Sequence, residues 1–337
     1  MAVYTKINKE SLSNLLNNYE IGSLIDFQGI IEGVENTNYK ITTLKNSYIL
    51  TIFEKRVDEK DLPFFIELQN HLSNKKIRCP EPIVDKNNNF IQKIDNKKCV
   101  IMSFLEGKKI EEPTNEHCEQ IGFELAKIHK NTQDFKLTRK NNLCFSKWLE
   151  IFNKCKQSSL ISNKIFSKKY NHKKIKNYND LFNPIEIELK FLKKNWPADL
   201  PKGIIHADVF KDNVFFDNNK LTGLIDFYFA CNDFYAYELA ICINDWCFNK
   251  DTIFEIDRYK SIINGYEKVR KLEVTEIKNM PILLRGSAMR FILTRLHDQL
   301  YHPKDALVEP KDPLEYFYFL ETHQNIQNGL INIEYGK

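Results

Sequence analysis

The sequence lacks the features of a membrane, secreted or nucleic-acid-binding protein. Its longest apolar runs, YILTIF, VIMSFL and GLIDFYFAC, fall far short of the roughly 18 residues that a membrane span needs. Its start, MAVYTKINKESLSNLL, has no apolar segment behind a basic end, so we expect no signal peptide. Its 49 basic and 45 acidic side chains give a net charge of only +4, too little for a dedicated nucleic-acid or membrane-surface binder. We therefore expect neither a nucleic-acid nor a membrane partner.

Cysteine and glycine motifs are also missing. The eight cysteines include no CxxC pair, and most lie beside apolar residues, as in Cys99-Val100-Ile101. A zinc site or a disulfide framework needs tighter spacing, whereas a free thiol packs as a small hydrophobe. The phosphate-binding patterns GxGxxG and the P-loop are absent as well. The cysteine usage predicts a reducing, cytoplasmic location.

The first third of the chain alternates strand-like runs with turns. A length of 337 residues suggests about two domains. One helix begins near Asp61-Leu62-Pro63, where Asp is a common cap and Pro is tolerated in the first turn. We therefore predict an α+β lobe in residues 1–103 with a small five-stranded antiparallel sheet. Its predicted strands are residues 24–32, 38–43, 47–53, 90–94 and 98–104.

From Glu116 onward, apolar residues recur at helical spacing, which predicts a larger, mainly helical lobe in residues 104–337. The exception is Gly203–Ala230, which is strand-like and interrupted by two charged loops. The segment Lys164–Lys176 packs six lysines into thirteen residues. It lacks interleaved aromatics, so we interpret it as a solvated surface segment rather than a nucleic-acid patch. The predicted helices are residues 118–128, 145–155, 184–196, 253–272, 277–300 and 314–330.

One stretch, GIIHADVFKDNVFF followed by LIDF, places polar residues where a strand core would not tolerate them unpaired. Residues 214–225 predict a hairpin with its turn at 217–220. This hairpin returns Asp226 to the side of Asn213, so that both can converge with Asp208. Phosphoryl transfer to an alcohol uses one carboxylate to accept the hydroxyl proton and oxygen ligands for magnesium. The alternative is a chance arrangement in which the two aspartates only cap loops.

Several motifs carry a family resemblance. The spacing His-x-Asp-x4-Asn followed by Ile-Asp-Phe resembles the protein-kinase motifs H-R-D-x4-N and D-F-G. HADVFKDN with IDF is more similar to the aminoglycoside phosphotransferase and choline kinase branch of that fold. Within this branch, segments spread from residue 32 to 296 resemble the bacterial homoserine kinases: EGVENTNY, YILTIFEKRV with DLPFF, HADVFKDNVFF, NDWCF and LLRGSAMRFILTRL. The resemblance implies a two-lobed protein-kinase-like fold and ATP-dependent phosphorylation of the hydroxyl of L-homoserine, a step of threonine biosynthesis.

The resemblance also implies roles for the residues of this stretch. Asp208 would be the catalytic base, and Asn213 and Asp226 would hold Mg²⁺. His206 would orient the loop through hydrogen bonds, with a satisfied core histidine as the alternative. Lys211 would reach the transferred phosphate, or be an ordinary exposed loop lysine. ATP and Mg²⁺ are therefore the implied cofactors, with the number of Mg²⁺ ions, one or two, left open.

The first lobe would hold the nucleotide. Residues 102–105 would join the two lobes and bond adenine through their backbone N–H and C=O groups. The hairpin at residues 33–38 would cover the phosphates with backbone N–H groups facing the anion. Its single glycine makes it a weak motif when taken alone. The residues predicted to contact the nucleotide are Gly33, Asn36, Asn38, Thr51, Met102, Ser103, Phe104 and Leu105.

The third strand departs from kinase chemistry. Kinases place there a lysine that pairs with the α- and β-phosphates and with a helix glutamate, but here the position is Thr51. Glu67 on the following helix has the spacing of the glutamate and lacks its partner. Homoserine kinases of this type resemble this chain in having Thr there, so the departure does not imply inactivity. Lys55 and Arg56 either replace the lysine or are exposed, and we favour exposure.

Homoserine carries an ammonium and a carboxylate, so its pocket needs both an acid and a base. A guanidinium grips a carboxylate through two parallel hydrogen bonds. Arg285, Arg290 and Arg295 are five residues apart, about 140° of helical rotation each, so they cannot all face one pocket. An aminoglycoside or choline site would instead need an acidic or aromatic cage. We predict substrate contacts from Asp245, Arg285 and Arg290, with Asp233 as a further candidate acid.

Two alternatives stay open at this level. One is the same fold acting on another small alcohol, such as choline or an aminoglycoside. The other is a nucleotide-binding module without catalysis, suggested by Thr51. Against the second stand Asp208, Asn213 and Asp226 together, because a chain without catalysis has no reason to keep all three. The sequence is compatible with a monomer or a homodimer.

Overall fold

The computed structural model describes residues 5–30, 36–54, 58–158, 172–301 and 309–329. Within these ranges, an antiparallel sheet lobe precedes a mainly helical lobe, as the sequence predicts. The boundary between residues 1–103 and 104–337 stays a prediction, although the last strand of the sheet ends at Ser103. In the described ranges, no helix combines the length and hydropathy needed to cross a bilayer.

The sheet lobe has six strands, β1 (Leu24–Ile30), β2 (Thr37–Thr43), β3 (Ser47–Ile52), β4 (Pro82–Ile83), β5 (Ile91–Ile94) and β6 (Lys97–Ser103), with helices α1 (Lys9–Leu16) and α2 (Leu62–Asn74). Their order is β1-β2-β3-β6-β4, and β5 also pairs with β6. Every pairing is antiparallel. The sequence predicts only five strands. It misses β4, which has two residues and therefore shows no alternation, and which starts with a proline, as edge strands tolerate.

The helical lobe contains seven helices and two small two-stranded sheets among the described residues. The helix α8 lies at its centre and packs against α4, α5, α6 and α9. The helices are α3 (Asn115–Asn131), α4 (Phe145–Lys156), α5 (Phe182–Asn195), α6 (Tyr235–Trp246), α7 (Ile256–Glu267), α8 (Val274–Tyr301) and α9 (Pro313–Gln327). The strands are β7 (Lys202–Ile205), β8 (Val214–Asp217), β9 (Lys220–Leu224) and β10 (Cys231–Phe234).

Helices α3 and α7 cross so closely that glycine is required at the contact. A Cβ on Gly122 would lie 2.0 Å from the carbonyl oxygen of Ile262. A Cβ on Gly265 would lie 2.0 Å from the carbonyl oxygen of Glu119. No side chain can occupy those positions without moving a backbone, so these two glycines set the distance between the helices.

Helix α6 was not predicted, because it has no polar face. Every one of its residues except Asp245 is buried. A helix buried all round shows no amphipathic period, and its sequence, YAYELAICINDW, therefore gave no helical pattern. The omission matters because α6 supports the polar loop described below.

The start of α2 also differs from the prediction. Pro63 lies in its first turn as expected, but the Asp61 side chain makes no capping hydrogen bond. Its Oδ2 instead accepts a hydrogen bond from Nε of Arg139, at 2.5 Å. An ion pair with a guanidinium is a stronger use of the carboxylate than a cap. Asp61 therefore ties the sheet lobe to the helical lobe.

Candidate active site

The loop after β7 presents the polar motif of the sequence. The strand ends at Ile205, and His206, Ala207 and Asp208 follow. Ala207 has a φ of 64°, a left-handed conformation that residues other than glycine seldom adopt. The chain therefore turns sharply just before Asp208, and such a turn persists only where its surroundings hold it.

Glu238 on α6 holds this turn. Its carboxylate accepts hydrogen bonds from the backbone N–H groups of His206 (2.8 Å) and Ala207 (2.6 Å). The carboxylate is fully buried and also lies 3.1 Å from Nε2 of His129 on α3. Burial alone would raise the pKa of Glu238, but these hydrogen bonds outweigh burial and lower it. Glu238 therefore stays charged and fixes the backbone beside Asp208.

The sequence analysis missed Glu238 because it missed α6. A signal was present, since Glu238 is a single acid inside the apolar run YAYELAICI. A buried carboxylate needs partners, so an isolated acid in such a run indicates a polar network.

The hairpin of β8 and β9 brings the three predicted polar residues together. The strands pair from Val214↔Leu224 onward, with a turn at 218–219, as predicted. The backbone N–H of Ile225 donates to the carbonyl of Asn213, at 2.9 Å. Asn213 Nδ2 in turn donates to Asp208 Oδ2 at 3.0 Å. Asp226, which follows Ile225 in the chain, lies close enough for its charge to raise the pKa of Asp208.

Asp208 has the electrostatics of a general base. Burial raises the pKa of Asp208 to about 7, and the negative charges of Asp226 and Asp245 also raise it, while the positive charges of Arg290 and Lys311 oppose the rise. A carboxylate with a pKa near neutral accepts a proton far more readily than an ordinary aspartate. The position can therefore remove a proton from an alcohol held beside it.

His206 makes the hydrogen bonds of an orienting residue. Its Nδ1 accepts from the backbone N–H of Asp208 (3.3 Å), and its Nε2 lies 2.9 Å from the carbonyl of Ile225. Burial is the largest influence on the pKa of His206 and lowers it, so the ring is neutral. A neutral ring with Nε2 protonated satisfies both contacts. His206 therefore joins the loop to the end of the hairpin.

Asp245 and Trp246 hold the other end of the loop. Asp245 Oδ2 accepts a hydrogen bond from the backbone N–H of Lys211 (2.7 Å), and Trp246 Nε1 donates to the carbonyl of Val209 (3.0 Å). Burial raises the pKa of Asp245. One oxygen of Asp245 is thus committed to the loop backbone, and its contact with a substrate stays a prediction, as does the contact of Lys211 with phosphate.

The arginines of α8 have different surroundings, as their spacing predicts. Arg285 forms two hydrogen bonds with Glu188 on α5, at 2.7 and 2.5 Å. Arg295 pairs with Glu315 on α9, at 2.6 Å. The guanidinium of Arg285 is committed to this buried carboxylate. Its contact with a substrate stays a prediction.

Arg290 is the arginine of α8 that reaches the loop. Its Nη1 donates to the carbonyl of Ala207 at 2.8 Å, and its side chain is only 2% exposed. Among the described residues, no carboxylate lies within ion-pair distance of its guanidinium, and its Nε has no hydrogen-bond partner. A buried cation without a paired anion is costly unless a ligand supplies the anion.

The predicted metal ligands fit a magnesium ion. The amide of Asn213 uses Nδ2 toward Asp208, which leaves Oδ1 as a ligand, and Asp226 supplies a carboxylate. Magnesium sites commonly take one or two protein oxygens and complete the shell with phosphates and water. Within the described ranges, no group of three or more His, Cys, Asp and Glu side chains could hold a metal by itself. One amide oxygen and one carboxylate would suit a metal that takes its remaining ligands from phosphates and water.

The described residues that were predicted for the strand side of the site are neutral. Thr51 Oγ1 donates to Asn38 Oδ1 (2.8 Å), and these residues are paired directly across β2 and β3. Asn36 is buried and accepts from the backbone N–H of Glu54 (3.3 Å). Gly33, Lys55 and Arg56 lie outside the described residues.

The residue with the spacing of the kinase glutamate does not lie on the buried face of α2. Glu67 is exposed, and its position opposite Thr51 stays a prediction. The buried face of α2 presents Phe65, whose ring meets Tyr228 edge-on at 5.6 Å, and Tyr228 meets Phe53 at 5.5 Å. Phe53, Phe65 and Tyr228 therefore form an aromatic cluster on the buried face of α2.

The segment between the lobes is partly committed to the sheet. Met102 pairs with Pro82 of β4, and the backbone N–H of Ser103 donates to the carbonyl of Glu81, at 2.8 Å. The Phe104 ring lies under the ammonium of Lys40, at 4.2 Å. The predicted adenine contacts of residues 102–105 stay predictions.

Known proteins with similar sequences are kinases. The chain matches the phosphotransferase enzyme family over residues 26–272. It is 45% identical to the homoserine kinase of Parvibaculum lavamentivorans over 331 residues, which cover 97% of both chains. It is 43% identical to the homoserine kinase of Rhizobium meliloti over 336 residues, which cover 100% of this chain and 98% of the relative.

Solved structures with the same fold are kinases too. The microcompartment-associated aminopropanol kinase has a TM-score of 0.68 at 13% identity, and the match covers 96% of this chain and 98% of that one. The choline kinase of Cryptosporidium parvum has a TM-score of 0.67 at 16% identity, with the same coverage. At these identities the likeness shows the protein-kinase-like fold alone. The full-length sequence matches go further, and the chain belongs to the homoserine kinases of the phosphotransferase enzyme family.

Proposed function

We propose that this chain transfers the γ-phosphoryl group of ATP to the hydroxyl of L-homoserine and forms O-phospho-L-homoserine, a step of threonine biosynthesis. The observation that carries the proposal is Asp208, whose carboxylate has a pKa raised by burial to about 7 and is hydrogen-bonded to Asn213 beside Asp226. The homoserine kinases that match the whole chain support the choice of acceptor.

Five polar residues in and around the loop have a part in the transfer. The homoserine hydroxyl attacks the γ-phosphorus, the bond from phosphorus to the β–γ bridging oxygen breaks, and the hydroxyl proton passes to Asp208. Asn213 Oδ1 and Asp226 would hold Mg²⁺, which neutralises charge on the phosphates when bound. Glu238 and His206 keep the loop in the geometry that aims Asp208, and positioning of this kind supplies much of the rate.

The nucleotide is proposed to lie between the sheet lobe and this loop. Residues 104–105 leave β6, and in the described part of the chain their backbone N–H groups have no hydrogen-bond partner, so they are open to adenine. Asn36, Asn38 and Thr51 lie on the same side of the sheet lobe. With Gly33 they would line the phosphate end.

A cytoplasmic location and a monomeric or homodimeric state complete the proposal. All eight cysteines are free, and all except Cys144 are buried. Burial raises the pKa of thiols such as Cys79 to about 12, which makes them unreactive hydrophobic side chains. This usage suits a reducing compartment.

A choline-type acceptor is the second candidate, and one observation favours it. The rings of Phe65, Tyr228 and Phe229 line a cavity beside the loop, and aromatic faces attract quaternary ammonium groups. Two guanidinium groups, those of Arg139 and Arg290, and two carboxylates, those of Asp58 and Asp61, line the same cavity, so it offers charges of both signs. A ligand with its own carboxylate suits this cavity better.

A panel of acceptors in a coupled ADP-release assay tests the proposal. L-homoserine, D-homoserine, L-serine, choline and kanamycin are compared at equal concentration. We expect turnover with L-homoserine well above that with the others. Turnover with another acceptor and none with L-homoserine would refute the substrate, and ATP binding without turnover on any acceptor would favour a non-catalytic module.

A further inference from the structure

A small cavity lies where the two lobes meet beside the catalytic loop. Its volume is about 210 Å³, and it is lined by Asp61 and Phe65 of the sheet lobe and by Arg139, Tyr228 and Arg290 of the helical lobe. Sites for drug-sized ligands run from about 300 to 1,000 Å³. The cavity therefore suits a molecule the size of an amino acid.

One wall of the cavity is an unpaired buried cation. The Arg290 side chain is 2% exposed, has no ion-paired carboxylate among the described residues, and keeps Nε without a hydrogen-bond partner. The hydrogen bond from its Nη1 to the carbonyl of Ala207 holds the guanidinium at the residue that directly precedes Asp208 in the chain. A carboxylate bound there would satisfy the open donor and lie near the base.

The cavity lining also includes an acid from the other lobe. Asp61 Oδ2 accepts a hydrogen bond from Nε of Arg139. Arg139 also donates from Nη1 to the carbonyl of Ala230 (3.1 Å), and its guanidinium stacks on the Phe65 ring at 4.8 Å. No hydrogen bond to Asp61 Oδ1 is found within the described ranges. That oxygen can accept from an ammonium without breaking the Arg139 pair.

We propose that this cavity is the amino-acid end of the acceptor site, with Arg290 binding the α-carboxylate of L-homoserine and Asp61 binding its α-ammonium. The inference rests on the proposed function and deepens it. Because Asp61 belongs to the sheet lobe and Arg290 to the helical lobe, the acceptor joins the lobes when it binds. The site then selects a zwitterion, because the ligand must pair with the negative charge of Asp61 on one lobe and with the positive charge of Arg290 on the other.

Acceptor analogues that each lack one charged group test the assignment. 4-Hydroxybutyrate is homoserine without the ammonium, and 3-amino-1-propanol is homoserine without the carboxylate. For each enzyme form, kcat/KM is measured with all three molecules, and Ki against L-homoserine is used for an analogue that is not turned over.

Asp61→Asn should act through the ammonium alone. We expect kcat/KM for L-homoserine to fall about tenfold or more, since a hydrogen bond to a charged group is lost, while the values for 4-hydroxybutyrate are not lowered. An equal loss of kcat/KM for L-homoserine and 4-hydroxybutyrate would overturn the role of Asp61. Such a loss would not depend on the ammonium group and would therefore be structural.

Arg290→Lys should act through the carboxylate. It keeps the charge and loses the two-pronged geometry, so L-homoserine should lose its advantage over 3-amino-1-propanol by about tenfold. Loss of the hydrogen bond from Arg290 to the carbonyl of Ala207 would lower kcat for both acceptors. It would therefore leave the ratio of their kcat/KM values unchanged. An unchanged ratio in folded protein would overturn the role of Arg290.

Asp134→Asn is the matched control. Asp134 pairs with Lys75 across the same two lobes at 2.7 Å, but it does not line the cavity. We expect no change in the preference among the three molecules. If the parent enzyme turns over L-homoserine and Asp61→Asn shows no ammonium-specific loss, the cavity assignment fails while the proposed function stands. If the parent does not turn over L-homoserine at all, the proposed function itself fails.

Discussion

The two sides of the proposed nucleotide site are built from opposite kinds of residues. On the helical-lobe side, Asn213 donates a hydrogen bond to Asp208, and the carboxylate of Asp226 lies close enough for its charge to raise the pKa of Asp208. On the sheet side, Thr51 stands where kinases have a lysine, and its hydroxyl donates to the neutral Asn38.

This difference indicates which side does the electrostatic work. Kinases share the phosphate charge between a strand lysine and the metal, and the lysine needs a helix glutamate to hold it. Here Glu67, which has the spacing of that glutamate, is exposed, and the buried face of α2 presents Phe65 to Tyr228. We infer that charge neutralisation falls on the metal held by the helical-lobe side, so substitutions there should cost more than substitutions at Thr51.

The largest effect is expected from Asp226→Ala. If Asp226 is a magnesium ligand, the change removes both charge and an oxygen ligand, so turnover should be lost and Mg-ATP binding weakened. Turnover against magnesium concentration, with thermal unfolding in parallel, measures this. Asp217→Ala, an exposed acid on the same hairpin, is the control and should leave both unchanged. A lowered melting temperature with an unchanged magnesium curve would reject the ligand role.

Glu238→Gln should have the next largest effect. The amide keeps the shape but loses the charge that holds the N–H groups of His206 and Ala207, and misplacement of a catalytic group by about 1 Å costs about 10²-fold in rate. We expect kcat to fall with little change in KM. Glu276→Gln, which removes a buried acid paired with Arg270, should lower stability without this loss of kcat. Similar kcat values for Glu238→Gln and Glu276→Gln would argue against the proposal that Glu238 positions the loop that carries Asp208.

The dependence of kcat/KM on pH tests the role of Asp208 on the helical-lobe side without a mutation. Because burial raises the pKa of Asp208 to about 7, the carboxylate becomes protonated as the pH falls through that value and can no longer accept a proton. We expect kcat/KM to decrease about tenfold for each pH unit below about 6. A profile that stays flat down to pH 5 would show that no group with this pKa serves as the base.

Thr51→Val should have the smallest effect. The change is isosteric and removes one neutral hydrogen bond to Asn38, worth about 0.5 to 1.5 kcal/mol. We expect a KM for Mg-ATP raised by a few-fold at most and an unchanged kcat. Thr43→Val removes a buried hydroxyl from β2 of the same sheet, which donates to the carbonyl of Ile21 before β1, and it controls for stability alone. A loss of kcat as large as that of Glu238→Gln would place essential chemistry on the sheet side.

Sequence reasoning succeeded where the relevant residues are close along the chain. The hairpin of β8 and β9 closes over a few residues, so alternation and a polar turn were enough to predict it. The meeting of Asp208, Asn213 and Asp226 followed from that hairpin. The five-residue spacing also showed correctly that the arginines of α8 cannot share one pocket.

It failed where a partner lies far away in sequence. Arg285 is committed to Glu188, which is 97 residues distant, and Asp61 pairs with Arg139 rather than capping α2. Glu238 supports the loop from a helix whose burial on all sides removed its periodic signal. Long-range ion pairs leave no local pattern, so the sequence did not indicate which arginine was available to a substrate.

The most direct test of the account is Asp208→Asn, with kcat for L-homoserine and Kd for Mg-ATP measured on the same preparation. The amide keeps the size and the neighbours of the carboxylate but cannot accept the proton. We predict that kcat falls about 10² to 10⁴-fold while Kd for Mg-ATP changes little. Near-normal turnover would contradict the account, because Asp208 could not then be the base.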